Sequence, residues 1–292
     1  MKLINILKNE ALSLSFEVFP PKTDSAFDSV KHATEEIAKL HPAFMSVTYG
    51  AGGGTSEYTL EIAKNIKREY GVSTLAHLTC VSSTKETVKA RIKSMVDAGI
   101  ENVMALRGDL TNELENSDRS KWPYRHAVEL VRELKECGAD FCIGGACYPE
   151  VHPESANQKE DIKYLKEKVD AGCDFLTTQM FFDNNLLYNF LYKIREAGIT
   201  VPVVAGIMPI TNSNQVERAM KLSGSFMPNR FKSIVDKFGH DPAAMKQAGI
   251  AYATDQIIDL FANNITNVHV YSMNKPDVAY SIQNNLSDIL GK

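Results

Sequence analysis

Eight short apolar, β-rich runs recur along this chain, separated by stretches with helical spacing, and that alternation limits the possible folds more than any other feature. The runs are Leu14–Phe19, Phe44–Tyr49, Thr74–Cys80, Asn102–Leu106, Phe141–Cys147, Phe175–Phe181, Val201–Ile207 and Val268–Tyr271. Helical patterns lie between them over Ala26–Leu40, Tyr58–Tyr70, Lys85–Ala98, Tyr124–Cys137, Asp161–Ala171 and Leu186–Ala197. The first four runs begin about thirty residues apart, the length of a parallel strand–helix unit. They are apolar throughout rather than alternating, as expected of parallel strands covered on both faces.

Eight such units predict an α/β fold: one domain over residues 1–292, closed as a single eight-stranded parallel (β/α)8 TIM barrel. An open, doubly wound sheet is the alternative. The seventh unit is longer than the rest. It fits a helix from Asn214 to Leu222, a polar loop containing GSFMPNR and a long helix near Pro242–Asn264, which together predict an inserted helical segment before the last strand.

Bulk properties exclude several classes. The chain has 292 residues, 44% of them hydrophobic and 23% charged, with a net charge of −4. That leaves no basic field to attract nucleic acid or an anionic membrane. The segment MKLINILKNEALSLSFE lacks the long apolar run and small-residue cleavage site of a secretory signal. The longest apolar stretch, Val201–Ile210, is too short to span a bilayer and contains Pro202 and Pro209. A soluble, cytoplasmic protein is expected. Of five cysteines, Cys137, Cys142 and Cys147 are evenly spaced, but not as CxxC, and positions 142 and 147 of one strand face opposite ways. Reduced structural thiols are expected, and no metal site.

In a barrel the chemistry sits at the C-terminal ends of the strands. There the sequence places Glu17 within SFEVFPP, Thr48 and Tyr49, His77, Arg107-Gly108-Asp109, Tyr148, Gln179 and, after the last strand, Lys275. Glu17 lies among Phe16, Val18 and Phe19. It suits a general acid whose proton is held by an apolar site, or else a partner for an arginine such as Arg107. Arg107 and Asp109 are two apart, so they either pair or face one ligand together. His77 is a ligand contact or a satisfied core histidine. The loop Tyr49-Gly-Ala-Gly-Gly-Gly-Thr-Ser carries four glycines in five positions and leads into a helix near Ser56-Glu57. It suits close approach of a flat ring or a phosphate, although it is neither a GxGxxG fingerprint nor a P-loop. In Tyr148-Pro-Glu-Val-His-Pro-Glu-Ser two prolines stiffen a loop that holds His152 near a helix beginning at Ser155 or Asn157, with Lys168 further along that helix.

Taken together, SFEVFPPK, SVTYGAGGGTS, AHLTC, NVMALRGD, ACYPEVHPES, KVDAGCDFLTTQMFFD, AGIMPI and VHVYSMNKPD resemble, in that order, the motifs of methylenetetrahydrofolate reductases. The resemblance covers most of the chain and is to the short bacterial form. It implies an FAD barrel that takes hydride from NADH or NADPH and reduces methylenetetrahydrofolate. It further implies Glu17 as the general acid, Asp109 as the carboxylate between flavin and folate, and Gln179 as a contact to folate and nicotinamide. Thr48, Tyr49, Ala51, His77, Arg107, Gly108, Asp109, Ala127, Tyr148, His152, Asp161 and Lys168 match flavin-contacting positions. Lys275 stands where some members place an arginine near the folate tail, and Tyr164 and Glu167 stand where some have Asn and Arg. The implied partners are a small folate substrate and other copies of the chain in a homo-oligomer. Three other readings remain: another flavin barrel such as a proline dehydrogenase relative, a flavin- or pterin-binding subunit dependent on a partner redox protein, and a flavin-free barrel with a phosphate or metal site, the metal version disfavoured by the lack of a carboxylate/His cluster at the rim.

Overall fold

The computed structural model describes residues 1–9, 11–21, 23–49, 56–110 and 116–291. Its centre is a closed barrel of eight parallel strands in sequential order. The strands are β1 (Ser13–Val18), β2 (Met45–Val47), β3 (Thr74–Thr79), β4 (Asn102–Leu106), β5 (Cys142–Cys147), β6 (Phe175–Thr178), β7 (Val203–Ile207) and β8 (Asn267–Tyr271). All eight fall within or against the expected runs, and closure excludes the open sheet.

Alternation along each strand separates two apolar layers. Leu14, Phe16 and Val18 of β1, with Val103, Ala105 and Ile143, point outward into the main core under the helices. Leu75, Met104, Phe175 and Val204 point inward. Cys142 belongs to the inner layer and Cys147 to the outer, so the two thiols face opposite ways, and all five cysteines are free.

A helix absent from the sequence reading closes the N-terminal end. In α1 (Leu3–Asn9), Leu3, Ile6 and Leu7 are buried against Phe44, Leu75, Phe175 and Val204. The first residues of two strands anchor it: Asn102 Oδ1 accepts from Leu3 N at 2.7 Å, and Asn267 Nδ2 donates to Leu7 O at 3.2 Å.

The helices over the outer face are α2 (Phe27–Ala38), α3 (Ser56–Tyr70), α4 (Lys85–Asp97), α5 (Ala127–Glu136), α6 (Gln158–Asp170) and α7 (Asn184–Glu196). Their starts follow from capping: Thr84 Oγ1 accepts from Thr87 N, and Asn157, rather than Ser155, caps α6 by accepting from Glu160 N. The insertion before β8 holds α8 (Asn214–Ser223), α9 (Asn229–Phe238) and α10 (Pro242–Ala262). The loop expected through GSFMPNR as far as Pro242 is largely helical instead, because α9 begins at Asn229 within that motif and buries Phe231. Phe231 of α9 lies 5.5 Å from the Phe182 ring and 4.5 Å from the Tyr252 ring, in a satellite core with Ile210, Ala219 and Met245. After β8 come α11 (Pro276–Asn285) and α12 (Ser287–Leu290). No helix among the described residues is long and apolar enough to cross a membrane.

Candidate functional site

The barrel register decides which polar groups meet. Glu17 pairs with Ser46 on one side and Tyr271 on the other, and Ser15 pairs with His269. All point inward, so strands distant in sequence deliver one polar cluster to the lumen. Glu17 is 7% exposed. Its Oε2 lies 3.4 Å from Ser46 Oγ and 3.8 Å from His77 Nε2. Burial pushes its carboxyl up to about 8, although a proton donated by Ser46 would act the other way. Arg107 is not its partner. Burial likewise holds His77 down to about 4 and His269 down to about 3. Near neutral pH the cluster is therefore two neutral imidazoles beside a carboxyl that keeps its proton.

The backbone around Glu17 is clamped from the segment that follows β8. Ser272 Oγ donates to Glu17 O at 2.6 Å. The Asn274 amide spans Phe19, accepting from its N–H at 2.8 Å and donating to its carbonyl at 2.9 Å. Asn274 takes φ +53°, which its short polar side chain tolerates better than most. Tyr271 Oη donates to Thr178 O at 2.5 Å, beneath Gly206, where a Cβ would come within 2.3 Å of that hydroxyl. Burial, then the nearby Glu17 carboxyl, hold the Tyr271 phenol well above its usual range.

A second cluster follows β4, β5 and β6. Arg107 Nη1 contacts Glu154 at 2.5 Å, so its partner is in the β5–α6 loop and not the neighbouring Asp109, which is exposed. Gly108 between them has φ +92°, and a Cβ there would meet Thr79 at 3.0 Å. His152 accepts from Glu154 N through Nδ1 at 3.1 Å, leaving Nε2 as its donor. Burial, then the Arg107 charge, hold its pKa below the usual value. Asp161 ties this loop to α6, accepting from His152 N and from Ser155 Oγ, both at 3.2 Å. The Tyr148 ring meets His152 edge-on at 4.6 Å. Lys168 Nζ donates to Ala146 O. Gln179 is half-buried, and its side-chain oxygen accepts from Met180 N. The inward hydroxyl of Thr177 is buried with no hydrogen-bond partner among the described residues.

Other expected residues lie further round the rim. Thr48 O accepts from Thr59 Oγ1, and Arg91 stacks 5.1 Å from the Tyr49 ring centre. Ala127 opens α5, where Glu129 reaches back to His126 N. Lys275 Nζ donates to Thr211 Oγ1 at 2.9 Å, next to the insertion. Tyr164 and Glu167 are exposed on α6. Ala51 and the rest of the glycine loop, residues 50–55, lie outside the described residues. Ser15, Ser46 and His269, which complete the Glu17 cluster, were not among the expected residues. The signals for them were their inward parity on β1, β2 and β8 and their places within SFEVFPPK, SVTYGAGGGTS and VHVYSMNKPD. Among the described residues no group of three or more His, Cys, Asp or Glu side chains is placed to hold a metal ion.

This arrangement of an enclosed acid, neutral imidazoles and a rim of cations and hydrogen-bond donors occurs in a chain with close relatives. The sequence model of the family described as methylenetetrahydrofolate reductase matches residues 2–287. The 5,10-methylenetetrahydrofolate reductase of Pectobacterium carotovorum is 34% identical over 271 residues, 93% of this chain and 89% of that one. The Escherichia coli protein of the same name gives the same figures. Methylenetetrahydrofolate reductase (NADH) 1 of Arabidopsis thaliana is 32% identical over 98% of this chain, which spans 50% of the plant protein. Among solved structures, an uncharacterized Clostridium thermocellum protein described as binding two copies of 5-methyl-5,6,7,8-tetrahydrofolic acid matches with a TM-score of 0.65 at 13% identity. That match covers 100% of this chain and 99% of that one, and it supports the fold.

Proposed function

Because the chain belongs to the methylenetetrahydrofolate reductase family, we propose that it reduces 5,10-methylenetetrahydrofolate to 5-methyltetrahydrofolate, with electrons drawn from a nicotinamide through FAD held on the barrel rim. The observation that carries this reading is Glu17, a lumen carboxyl that burial keeps protonated to about pH 8. Such a group can give a proton to a substrate near neutral pH.

The substrate explains why an acid is needed. Its bridging methylene lies in a five-membered ring between two nitrogens. Glu17 transfers its proton to one of them, that C–N bond breaks with its electron pair passing to the protonated nitrogen, and the methylene becomes an iminium open to hydride. Asp109 accepts hydrogen bonds from the pterin, Gln179 contacts the folate, and Lys275 offers a cation to the folate tail. The single ammonium of Lys275 lacks the two-pronged geometry of an arginine.

The residues present fit a flavin dinucleotide. Arg107 and Lys168 supply positive charge for its phosphates, with the Nε2 donor of His152 beside them. Thr48, Tyr49, Ala51, His77, Gly108, Ala127, Tyr148 and Asp161 complete the proposed cradle. The unpaired Thr177 hydroxyl is a ready partner for a polar ring edge. When bound, FAD supplies the hydride chemistry, accepting a hydride from NADH or NADPH and releasing it in a second half-reaction, so that the two substrates alternate. Three plant relatives carry NADH in their names, which makes NADH the first donor to test. We read residues 1–292 as one barrel domain, because the insertion shares its core with Phe182 and Ile210, which follow β6 and β7.

An anaerobic absorbance trace tests this function. NADH or NADPH should bleach a flavin band, and methylenetetrahydrofolate should restore it. A band that neither nicotinamide bleaches would contradict the proposal and favour a subunit dependent on a partner protein.

A further inference from the structure

Below Glu17 runs a chain of hydrogen bonds that the proposed chemistry does not use. Ser15 Oγ lies 2.8 Å from His269 Nδ1 and 2.9 Å from the carbonyl oxygen of Val268. On the other side of the ring, His269 Nε2 lies 2.8 Å from Ser46 Oγ, which is itself 3.4 Å from Glu17 Oε2. Ser15 and Ser46 are fully buried and His269 is 2% exposed, its ring stacked on Phe44 at 5.2 Å.

The hydrogens in this chain can be counted. A hydroxyl has one, and a carbonyl can only accept. The hydrogen of Ser15 therefore lies toward Val268 O, because the alternative sets two oxygen lone pairs against each other at 2.9 Å. Ser15 then accepts from His269, which must carry its proton on Nδ1. Burial keeps the ring singly protonated, so Nε2 holds a lone pair and takes the hydrogen of Ser46. Ser46 has none left for Glu17 and turns a lone pair toward Oε2. A carboxylate there would face that lone pair, whereas a carboxylic acid can donate to it. The other titratable groups facing the pair are His77 of β3, neutral and 3.8 Å from Oε2, and Tyr271 of β8, whose ring centre is 5.8 Å from that of His269. Neither reverses the count.

We propose that His269 is a positioning residue that, held as its Nδ1–H tautomer by Ser15, makes Ser46 an acceptor and so keeps Glu17 in its proton-carrying form. The proposal rests on reading Glu17 as the acid, but its test does not use turnover. It predicts the opposite effect from the usual one of a serine beside a carboxylate, where removing the hydroxyl raises the carboxyl pKa by removing a donor. Here Ser46→Ala lowers it by removing an acceptor. Ser15→Ala, whose lost hydrogen bonds run to His269 and Val268 rather than to Glu17, frees the His269 tautomer and so also lowers it.

The experiment is NMR of the purified protein. The tautomer of His269 is read with 15N-labelled histidine. The Glu17 titration is read with carboxyl-13C glutamate, assigned by its loss in Glu17→Gln. The expected results are a protonated Nδ1, and a Glu17 pKa that falls in both serine variants, by about one unit in Ser46→Ala, the scale of one hydrogen bond. A protonated Nε2, a Glu17 pKa that rises in Ser46→Ala, or one unchanged in both variants would overturn the proposal. If Ser46→Ala fails to fold, the wild-type tautomer and Ser15→Ala still decide it. Should Glu17→Gln retain folate reduction while these NMR results hold, the assignment of the acid would fail and the hydrogen-bond chain would stand.

Discussion

Glu17 holds its proton because β1 buries it between β2 and β8 and no cation among the described residues pairs with it. Its carboxyl goes from the ordinary 4.5 to about 8 on folding. The folded state therefore binds a proton that the unfolded chain releases as pH rises through that window, and stability is lost as it does so. The depressed pKa values of His77 and His269 act in the opposite direction, since acidification below the ordinary 6.5 charges these rings in the unfolded chain first. Those histidine contributions are common to wild type and Glu17→Gln and cancel in a comparison. Wild type should thus lose stability relative to Glu17→Gln as pH rises from about 5 to about 8, followed by denaturant melts at each pH. Parallel curves would mean that Glu17 ionises normally in the fold. Asp109 makes a contrasting case, since it is exposed at the rim. Asp109→Asn should slow folate reduction on the order of tenfold while leaving flavin reduction by nicotinamide near wild type, measured as separate half-reactions. Equal folate reduction rates in the two proteins would remove Asp109 from the pterin site. Glu17 and His77 were legible in the sequence because a charge or an imidazole inside an apolar run demands a reason. Ser15, Ser46 and His269 were not. Serines in a strand are unremarkable, and the bond between Ser46 and His269 joins residues 223 apart, a pairing that only barrel closure creates.

At the scale of elements, the strands were the most legible part, because a parallel strand buried on both faces leaves a continuous apolar run. Of the four helices that escaped the reading, α1, α9, α11 and α12, two are instructive. α9 carries Phe231, Ile234, Val235 and Phe238 at helical spacing, but it follows the Gly224–Pro228 segment, whose composition reads as loop. α1 is only seven residues long, with its apolar stripe reduced to Leu3, Ile6 and Leu7. A helix so short does not form by itself; here the inner ends of the strands provide a surface for it. Ile6, 5% exposed, packs into that inner cluster. Ile6→Ala should cost about 2–4 kcal/mol in chemical denaturation, with the site chemistry unchanged because α1 closes the end of the barrel opposite the rim. A loss below about 0.5 kcal/mol would show that the plug contributes little to stability.

For the whole molecule, the barrel brings residues from most of its units to one rim, so the proposed hydride and proton chemistry would share a site although their residues are far apart in the chain. The family was legible because its motifs lie at strand ends, where the fold leaves least freedom. The glycine loop, prominent in the sequence, falls among residues 50–55, outside the described part of the structure. The central claim is that Glu17 acts on the folate and not on the flavin, and anaerobic stopped-flow of Glu17→Gln in its two half-reactions tests it most directly. Flavin reduction by nicotinamide should proceed at close to the wild-type rate, while reoxidation by methylenetetrahydrofolate should fall on the order of a hundredfold or more. Reoxidation at the wild-type rate would contradict the account.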